Sequence, residues 1–488
     1  MHHARKLLKW PNFPWFFFLI FILFAATSAS GQGKVPHIKI SNYTAIADSL
    51  EIQDIIIIGN RTTKDQIILR ELSFQVGSKI PTRNLPDFLE LERNKIFNTD
   101  LFVTTEMTLA SLNIGKAAIV IEVIERWFLV ALPLVDFADR NFNEWWRDRN
   151  RDLRRLEYGI KFKDRNFRGR KEYLKFDMLL GFTQNAFFQY EIPFLDKKQK
   201  TGLSLGAGIS QNRDVAFRTF ENKLDFASSN EVLIRRYSAR LGMVRRAQFY
   251  NFHQFNLEFK YNLISDTIAM LNPDYFMAGR TEQRFFELNY TFTRDKRDVA
   301  AYPLKGYMSR FLAVKRGLGI YDDLDLWIFR GMYSKYYRLG KQVFMASSLS
   351  GKFSWPEVQP YNQFQNLGYS RDFITGYDLY VIDGQANVAF KNVIRWRMLS
   401  GKQELSKFVP FRQFSTIPYA IFLKMHFDGG YARNTLADPK IDFLSNKWLG
   451  GAALGLDIVT FYNAVFRLEY SRNGLGEGNF FVYFTGSL

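Results

Sequence analysis

The residues that could do chemistry in this chain of 488 do not gather into a catalytic centre. Cysteine is absent. Of five histidines, His2 and His3 open the chain and the other three stand far apart, so the ligand spacing of a metal site is missing. No nucleophile–base constellation and no phosphate loop appears, and Asp383-Gly384 and Arg472-Asn473-Gly474 read as turns. No enzymatic activity and no cofactor is expected. Backbone groups remain as the reactive inventory. A strand edge presents unpaired N–H and C=O groups that another segment can join. Gly474, Gly476, Gly478 and Gly486 surround the last strand-like run and favour a weak or mobile strand there.

The elements that carry those edges follow from composition. Aromatics make up 17%, yet 23% of residues are charged and mean hydropathy is −0.19. A helical membrane protein does not show that balance. A transmembrane β-barrel does, because alternate residues face lipid and a polar lumen. The formal charge of +18 is scattered over strands and turns without a nucleic-acid-binding motif, so no nucleic-acid partner is expected. Anionic lipid head groups or a lumen are the expected counterparts.

Residues 1–30 read as a signal peptide. Arg5, Lys6 and Lys9 precede the apolar run Phe16 to Ala26, and small residues place cleavage near Ala29 or Ser30. No Cys is present for a lipid anchor, and no later stretch is long and apolar enough for a transmembrane helix. Residues 31–49 read as a linker. Residues 50–126 have the order β-α-α-β-β: a strand from Leu50 to Ile58, a helix capped by Thr62 or Thr63, a break from Gly77 to Pro86, a helix from Leu85 to Phe97, then strands Leu101 to Leu109 and Ala117 to Trp127.

From residue 127 to 488 period-two alternation dominates. In His253–Asn262, Phe255, Leu257, Phe259 and Tyr261 share one face, opposite Gln254, Asn256, Glu258, Lys260 and Asn262. A soluble β-sandwich alternates too. Here the segments often reach the length a tilted membrane strand needs, aromatics recur near their ends, and the polar faces carry long charges of both signs. Sixteen candidate strands run from 127–137 to 479–487. An even count puts both ends of the barrel in the periplasm. One inner-side gap, Leu399–Thr416, is long where short turns are expected.

Two resemblances add to this reading. Ile58-Gly59-Asn60-Arg61-Thr62, Arg70-Glu71-Leu72-Ser73-Phe74, Gly77, Ile96-Phe97-Asn98-Thr99, Leu101-Phe102 and Val123-Ile124-Glu125-Arg126-Trp127 resemble a POTRA domain. Asp295-Lys296-Arg297-Asp298 with Tyr302-Pro303-Leu304-Lys305-Gly306-Tyr307, Phe427-Asp428-Gly429-Gly430-Tyr431, Gly455-Leu456-Asp457 and the strand from Phe480 resemble the outer-membrane assembly and translocation superfamily of BamA, TamA and the two-partner secretion transporters. The fold so implied is all-β: a 16-stranded antiparallel transmembrane barrel behind one small α+β POTRA-like domain, in the outer membrane of a Gram-negative-type bacterium with that domain in the periplasm. Gly368-Tyr369-Ser370-Arg371-Asp372-Phe373-Ile374-Thr375-Gly376-Tyr377 resembles the family loop that folds back into the lumen. Its tip there is Arg-Gly-Tyr or Arg-Gly-Phe. Here Thr375 stands in the Arg position, ahead of Gly376 and Tyr377. The resemblance makes Asp428 and Gly430 the wall that receives the tip, and Arg371 is expected to supply the charge from four residues upstream.

The resemblance further implies assembly of outer-membrane proteins or translocation of surface proteins. Unfolded clients, outer-membrane lipid and accessory subunits are the expected partners. The seam between the first and last strands, marked by Leu129, Phe137, Phe480 and Phe484, would template a client strand. A passive channel and an inert anchor of a larger machine are the alternatives.

Overall fold

The structure is a computed structural model. It describes residues 48–113, 115–137, 145–146, 150–181, 183–321, 323–370, 372–404 and 412–485. The expected export signal, most of the linker, Arg371 and Gly486 lie outside the described residues.

The chain first builds a four-stranded sheet in the order β2-β1-β4-β3. Its strands are β1 (Ser49–Ile58), β2 (Lys79–Pro81), β3 (Phe102–Asn113) and β4 (Lys116–Glu125), with β1 parallel to β4. Helices α1 (Asp65–Leu69) and α2 (Leu85–Phe97) bury Ile67, Ile68, Leu89 and Ile96 with Ile52, Phe102, Ile119 and Ile121. Pro86 suits the first turn of α2, where its missing N–H goes unused. Two details differ from the sequence expectation. The residue before α1 is Lys64, not a threonine: the Thr63 hydroxyl accepts from Asn166 at 2.9 Å instead, and the Thr62 and Thr63 N–H groups donate to the Glu125 carboxylate at 3.1 and 2.7 Å. The expected break before Pro86 also contains β2.

The rest forms one antiparallel sheet of sixteen strands. They are β5 (Leu129–Phe137), β6 (Leu156–Phe167), β7 (Glu172–Gly181), β8 (Thr183–Ile192), β9 (Thr201–Asn212), β12 (Ile234–Gln248), β13 (Asn251–Ile264) and β14 (Glu282–Asp295), followed by β15 (Gly306–Arg316), β16 (Leu326–Arg338), β17 (Val343–Trp355), β18 (Ala386–Glu404), β19 (Thr416–Arg433), β20 (Trp448–Val459), β21 (Val465–Asn473) and β22 (Gly478–Thr485). The barrel inverts the burial logic of the small domain. On β13, Phe255 and Leu257 are 41% and 39% exposed on the outer face, whereas Asn256 and Glu258 are buried on the inner one. That sidedness is what a lipid-facing exterior and a polar lumen require.

Two features correct the sequence reading. The loop between β9 and β12 folds into a hairpin of β10 (Asp214–Phe220) and β11 (Lys223–Ser228). With helix α3 (Asp266–Leu271) it buries Val215, Phe217 and Ile268 over the outer end of the barrel. The long inner gap Leu399–Thr416 begins and ends as strand: β18 and β19 extend, through a bulge at Arg397/Leu399, as far as the pair Glu404 and Thr416.

Candidate functional site: lumen, long loop and seam

The sheet order runs from β22 to β5 with a ladder between every neighbouring pair. Among the described residues β5 is laddered to β6 alone and β22 to β21 alone. Leu129 opens β5 opposite Asp164, and Phe137 closes it opposite Leu156. Phe480 and Phe484 point outward from β22, 52% and 50% exposed, with the Phe484 ring 4.7 Å from Phe466. The inward side of that strand carries Phe481, which is buried, and Tyr483.

The long loop between β17 and β18 enters the lumen and docks next to that strand. Thr375 Oγ1 donates a hydrogen bond to Asp428 Oδ2. Lys391 stands opposite Asp428 in the β18–β19 ladder, and its ammonium donates to the Phe373 carbonyl at 2.5 Å. The other Asp428 oxygen is buried with no hydrogen-bond partner among the described residues. Asn473 Nδ2 donates to the Gly376 carbonyl at 3.0 Å, and the Gly474 N–H donates to the Tyr377 hydroxyl at 3.1 Å. Tyr483 of β22 donates to the Asp378 carboxylate, and its ring stacks on Phe373 at 6.3 Å. Small residues make the room. A Cβ on Gly430 would lie 2.7 Å from Ile374 Cδ1, and one on Gly451 would lie 1.8 Å from the Thr375 carbonyl oxygen. Thr375, Gly376, Tyr377, Asp428 and Gly430 are thus brought together.

Sequence reasoning missed Lys391, Asp378, Asn473 and Tyr483. It also missed a second lumenal network. Lys424 sits 3.1 Å from Asp457 and 2.8 Å from Glu469, and Arg467 is 3.1 Å from Asp457. Tyr302, from the turn between β14 and β15, crosses to this wall. Its hydroxyl donates to Asp457 at 2.9 Å, its ring lies 4.9 Å from Phe422, and Arg395 sits 4.5 Å over it. The available signal was parity: Lys424 on β19, Asp457 on β20 and Glu469 on β21 all fall on inward positions of apolar-alternating strands.

The small domain covers the inner rim. Arg246, at the end of β12, grips Glu71 with a pair of bonds at 3.1 and 2.8 Å. Burial pushes the Glu71 carboxyl up, but Lys171 and Arg246 more than offset this and hold it below the usual carboxylate range. Asp100 meets Arg126 at 2.8 Å, Arg165 at 2.9 Å and Asn463 at 2.7 Å. Asn98 donates to the Asp298 carbonyl and accepts from the Ala300 N–H, both at 2.9 Å. Phe194, from the turn between β8 and β9, is buried in the core of the small domain itself.

A sixteen-stranded antiparallel barrel with an inserted loop on an Asp-x-Gly strand is the geometry on which the comparisons bear. Residues 166–388 match the model of the Omp85 superfamily domain. That stretch of the chain carries an Omp85 superfamily domain. No curated protein matches it by sequence. Among solved structures, CdiB from Escherichia coli superposes with a TM-score of 0.53 at 10% identity, over 89% of this chain and 75% of that one, a likeness of fold. BamA from Haemophilus ducreyi lacking POTRA domains 1–3 gives 0.47 at 14% identity, over 90% and 84%. CdiB from Acinetobacter baumannii gives 0.44 at 13%, over 90% and 73%. Omp85 proteins are outer-membrane barrels that handle unfolded outer-membrane or secreted clients without enzymatic chemistry.

Proposed function

We propose that this Omp85-domain protein assembles outer-membrane proteins, or passes surface proteins, through the seam between β5 and β22. The small domain acts as a POTRA-like periplasmic docking module, and residues 1–30 as a cleaved export signal. One observation carries the reading: of all the strand neighbours that would close the barrel, only β5 and β22 lack a ladder among the described residues. Backbone groups along such edges can pair with an incoming strand, and among the described residues no β5–β22 ladder competes with it. The long loop reinforces the point. It rests on β22 through Tyr483 and on the β21–β22 turn through Asn473 and Gly474, so its position and the freedom of the seam strand are coupled. A passive channel needs an open lumen, whereas the loop, Tyr302 and the small domain occupy this one.

The chain has no cysteine, so an introduced pair, one in Leu129–Phe137 and one in Gly478–Thr485, forms the sole disulfide. The oxidised protein should stop inserting a reporter barrel, and reductant should restore insertion. Undiminished insertion with the seam locked sinks the seam reading. Partners that co-purify with the locked form would then argue for an accessory subunit.

A further inference from the structure

The outer face of strands β12 to β16 treats charge differently at its two rims. At the rim away from the small domain, two outward cations have carboxylates within reach. Lys315 pairs with Asp325, and Arg284 approaches Asp323 at 3.9 Å. At the rim that carries the small domain, the outward residues of the same five strands include Arg245, Arg294 and Lys335, and none is acidic. The cations are interleaved with rings. Arg294 lies 5.8 Å over Tyr307, Lys335 lies 4.9 Å over Tyr337, and His253, opposite Arg245, shares a 2.9 Å hydrogen bond with Tyr290. The Arg294 Nε is buried and has no hydrogen-bond partner among the described residues. The side chain is partly exposed, and a guanidinium carries further N–H groups that a ligand outside the chain can meet.

Depth decides what that is. Arg294 is the penultimate residue of β14, and Arg245 and Lys335 lie a few residues from the ends of β12 and β16. At about 3.3 Å per residue they fall within roughly 10 Å of the strand ends, in the head-group layer of the leaflet on that side. From β12 to β16 the three cations span four strand spacings of about 4.8 Å each, wide enough for more than one head group.

We propose that this belt is a binding site for the phosphodiester head groups of anionic phospholipids. Arg294 is the anchor, Arg245 and Lys335 hold the flanks, and Tyr290 and Tyr307 line the shoulder. Such a site holds anionic lipid on the flank of the barrel in the leaflet next to the small domain. It stands independently of what the seam does.

The test uses the purified full chain in detergent, titrated with dioleoylphosphatidylglycerol or dioleoylphosphatidylcholine and read by native mass spectrometry. The wild type should retain phosphatidylglycerol in preference to phosphatidylcholine. One cation near an anionic lipid surface is worth about fivefold. Arg294→Gln should therefore lower the preference about fivefold, and Arg245→Gln with Arg294→Gln and Lys335→Gln on the order of 100-fold. Arg284→Gln and Lys315→Gln, at the other rim, should leave it unchanged. Heat-modifiable migration reports whether each variant folds, and the single variants carry the test if the triple one does not. Equal retention of the two lipids by the wild type, an unchanged preference in folded Arg294→Gln, or equal losses from the other rim would each overturn the site.

Discussion

Two bodies fill the barrel from opposite ends, and they are held by different chemistry. The long loop enters from the outer end and is held mainly by directional hydrogen bonds: Thr375 to Asp428, Asn473 to Gly376, Gly474 to Tyr377, Tyr483 to Asp378. The supports of its tip lie on β18 to β22, beside the seam, while its flanks are tied to β14, β17 and the β10–β11 hairpin. The small domain closes the inner end, and charge does much of the holding: Glu71 on Arg246, Asp100 on Arg165, Glu106 on Lys402. Its supports are spread around the rim. A loop tip held on one arc of wall can be released by moving that arc. A domain held at many turns by charges responds instead to pH and to the loss of a single buried partner.

The sharpest way to break this contrast is Arg246→Ala. Glu71 would stay buried, at 11% side-chain exposure, without the guanidinium that grips it. Breaking a buried pair costs about 3–5 kcal/mol, and with Arg70 at 3.5 Å and Lys171 still beside Glu71 the loss should fall at the low end of that range. Amide exchange over α1 should rise accordingly while exchange at 373–378 stays put. A parallel rise at both places would mean the two bodies move as one. The same pair predicts a pH response. The Glu71 carboxyl is held below its usual range by Lys171 and Arg246, with burial opposing them. Its share of the docking free energy is therefore fully present above the ordinary carboxylate pKa and is lost as pH falls through the lowered value. Docking of α1, followed by exchange or limited proteolysis, should weaken only on the acid side of that range. Constant docking down through it would remove Glu71 from the joint.

On the loop side the corresponding test leaves the loop sequence alone. A methyl at Gly451 overlaps the Thr375 carbonyl, so Gly451→Ala must push the tip off the wall or bend β20. Overpacking of this kind costs about 1–3 kcal/mol. Exchange at Gly376 and Tyr377 should rise with that at β22, because Tyr483 connects them. Loosening of the tip with β22 unaffected would separate the loop from the seam.

How far these joints were legible in the sequence depended on the reach of the interaction. Alternation is local, so every barrel strand could be read from its own residues, such as Phe255 to Tyr261 on β13. The β10–β11 hairpin could not, because Val215 and Phe217 become a core only when α3 closes over them. The meeting of Thr375 with Asp428 was readable only through the likeness of their motifs to a family. Lys391, Asp378 and Tyr483 belong to no such motif, and the path of the loop alone brings them to it. Tyr302 was hidden for a further reason: it sits among Lys296, Arg297 and Asp298, a composition that suggests a solvated turn, yet its ring is buried against Phe422.

That turn supplies the finest test of the comparison, since it is where the two ends could communicate. Asn98 of the small domain holds it with two hydrogen bonds, and four residues past Asp298 the same turn places Tyr302 on Asp457. Each bond is worth about 1 kcal/mol net, so Asn98→Ala should loosen the turn by about 2 kcal/mol. Asn98→Asp isolates the parts. The carboxylate still accepts from the Ala300 N–H, but it faces the Asp298 carbonyl with an acceptor instead of a donor. It should therefore fall between wild type and alanine, or below alanine if the repulsion outweighs the bond it keeps. The readout is exchange at 298–304 alongside the fluorescence of an environment-sensitive probe at Phe422. If the turn loosens while the surroundings of Tyr302 stay fixed, the inner and outer bodies are independent. If Tyr302 leaves Asp457 when Asn98 is changed, the small domain reaches through this turn to the same strands, β19 to β21, on which the long loop rests.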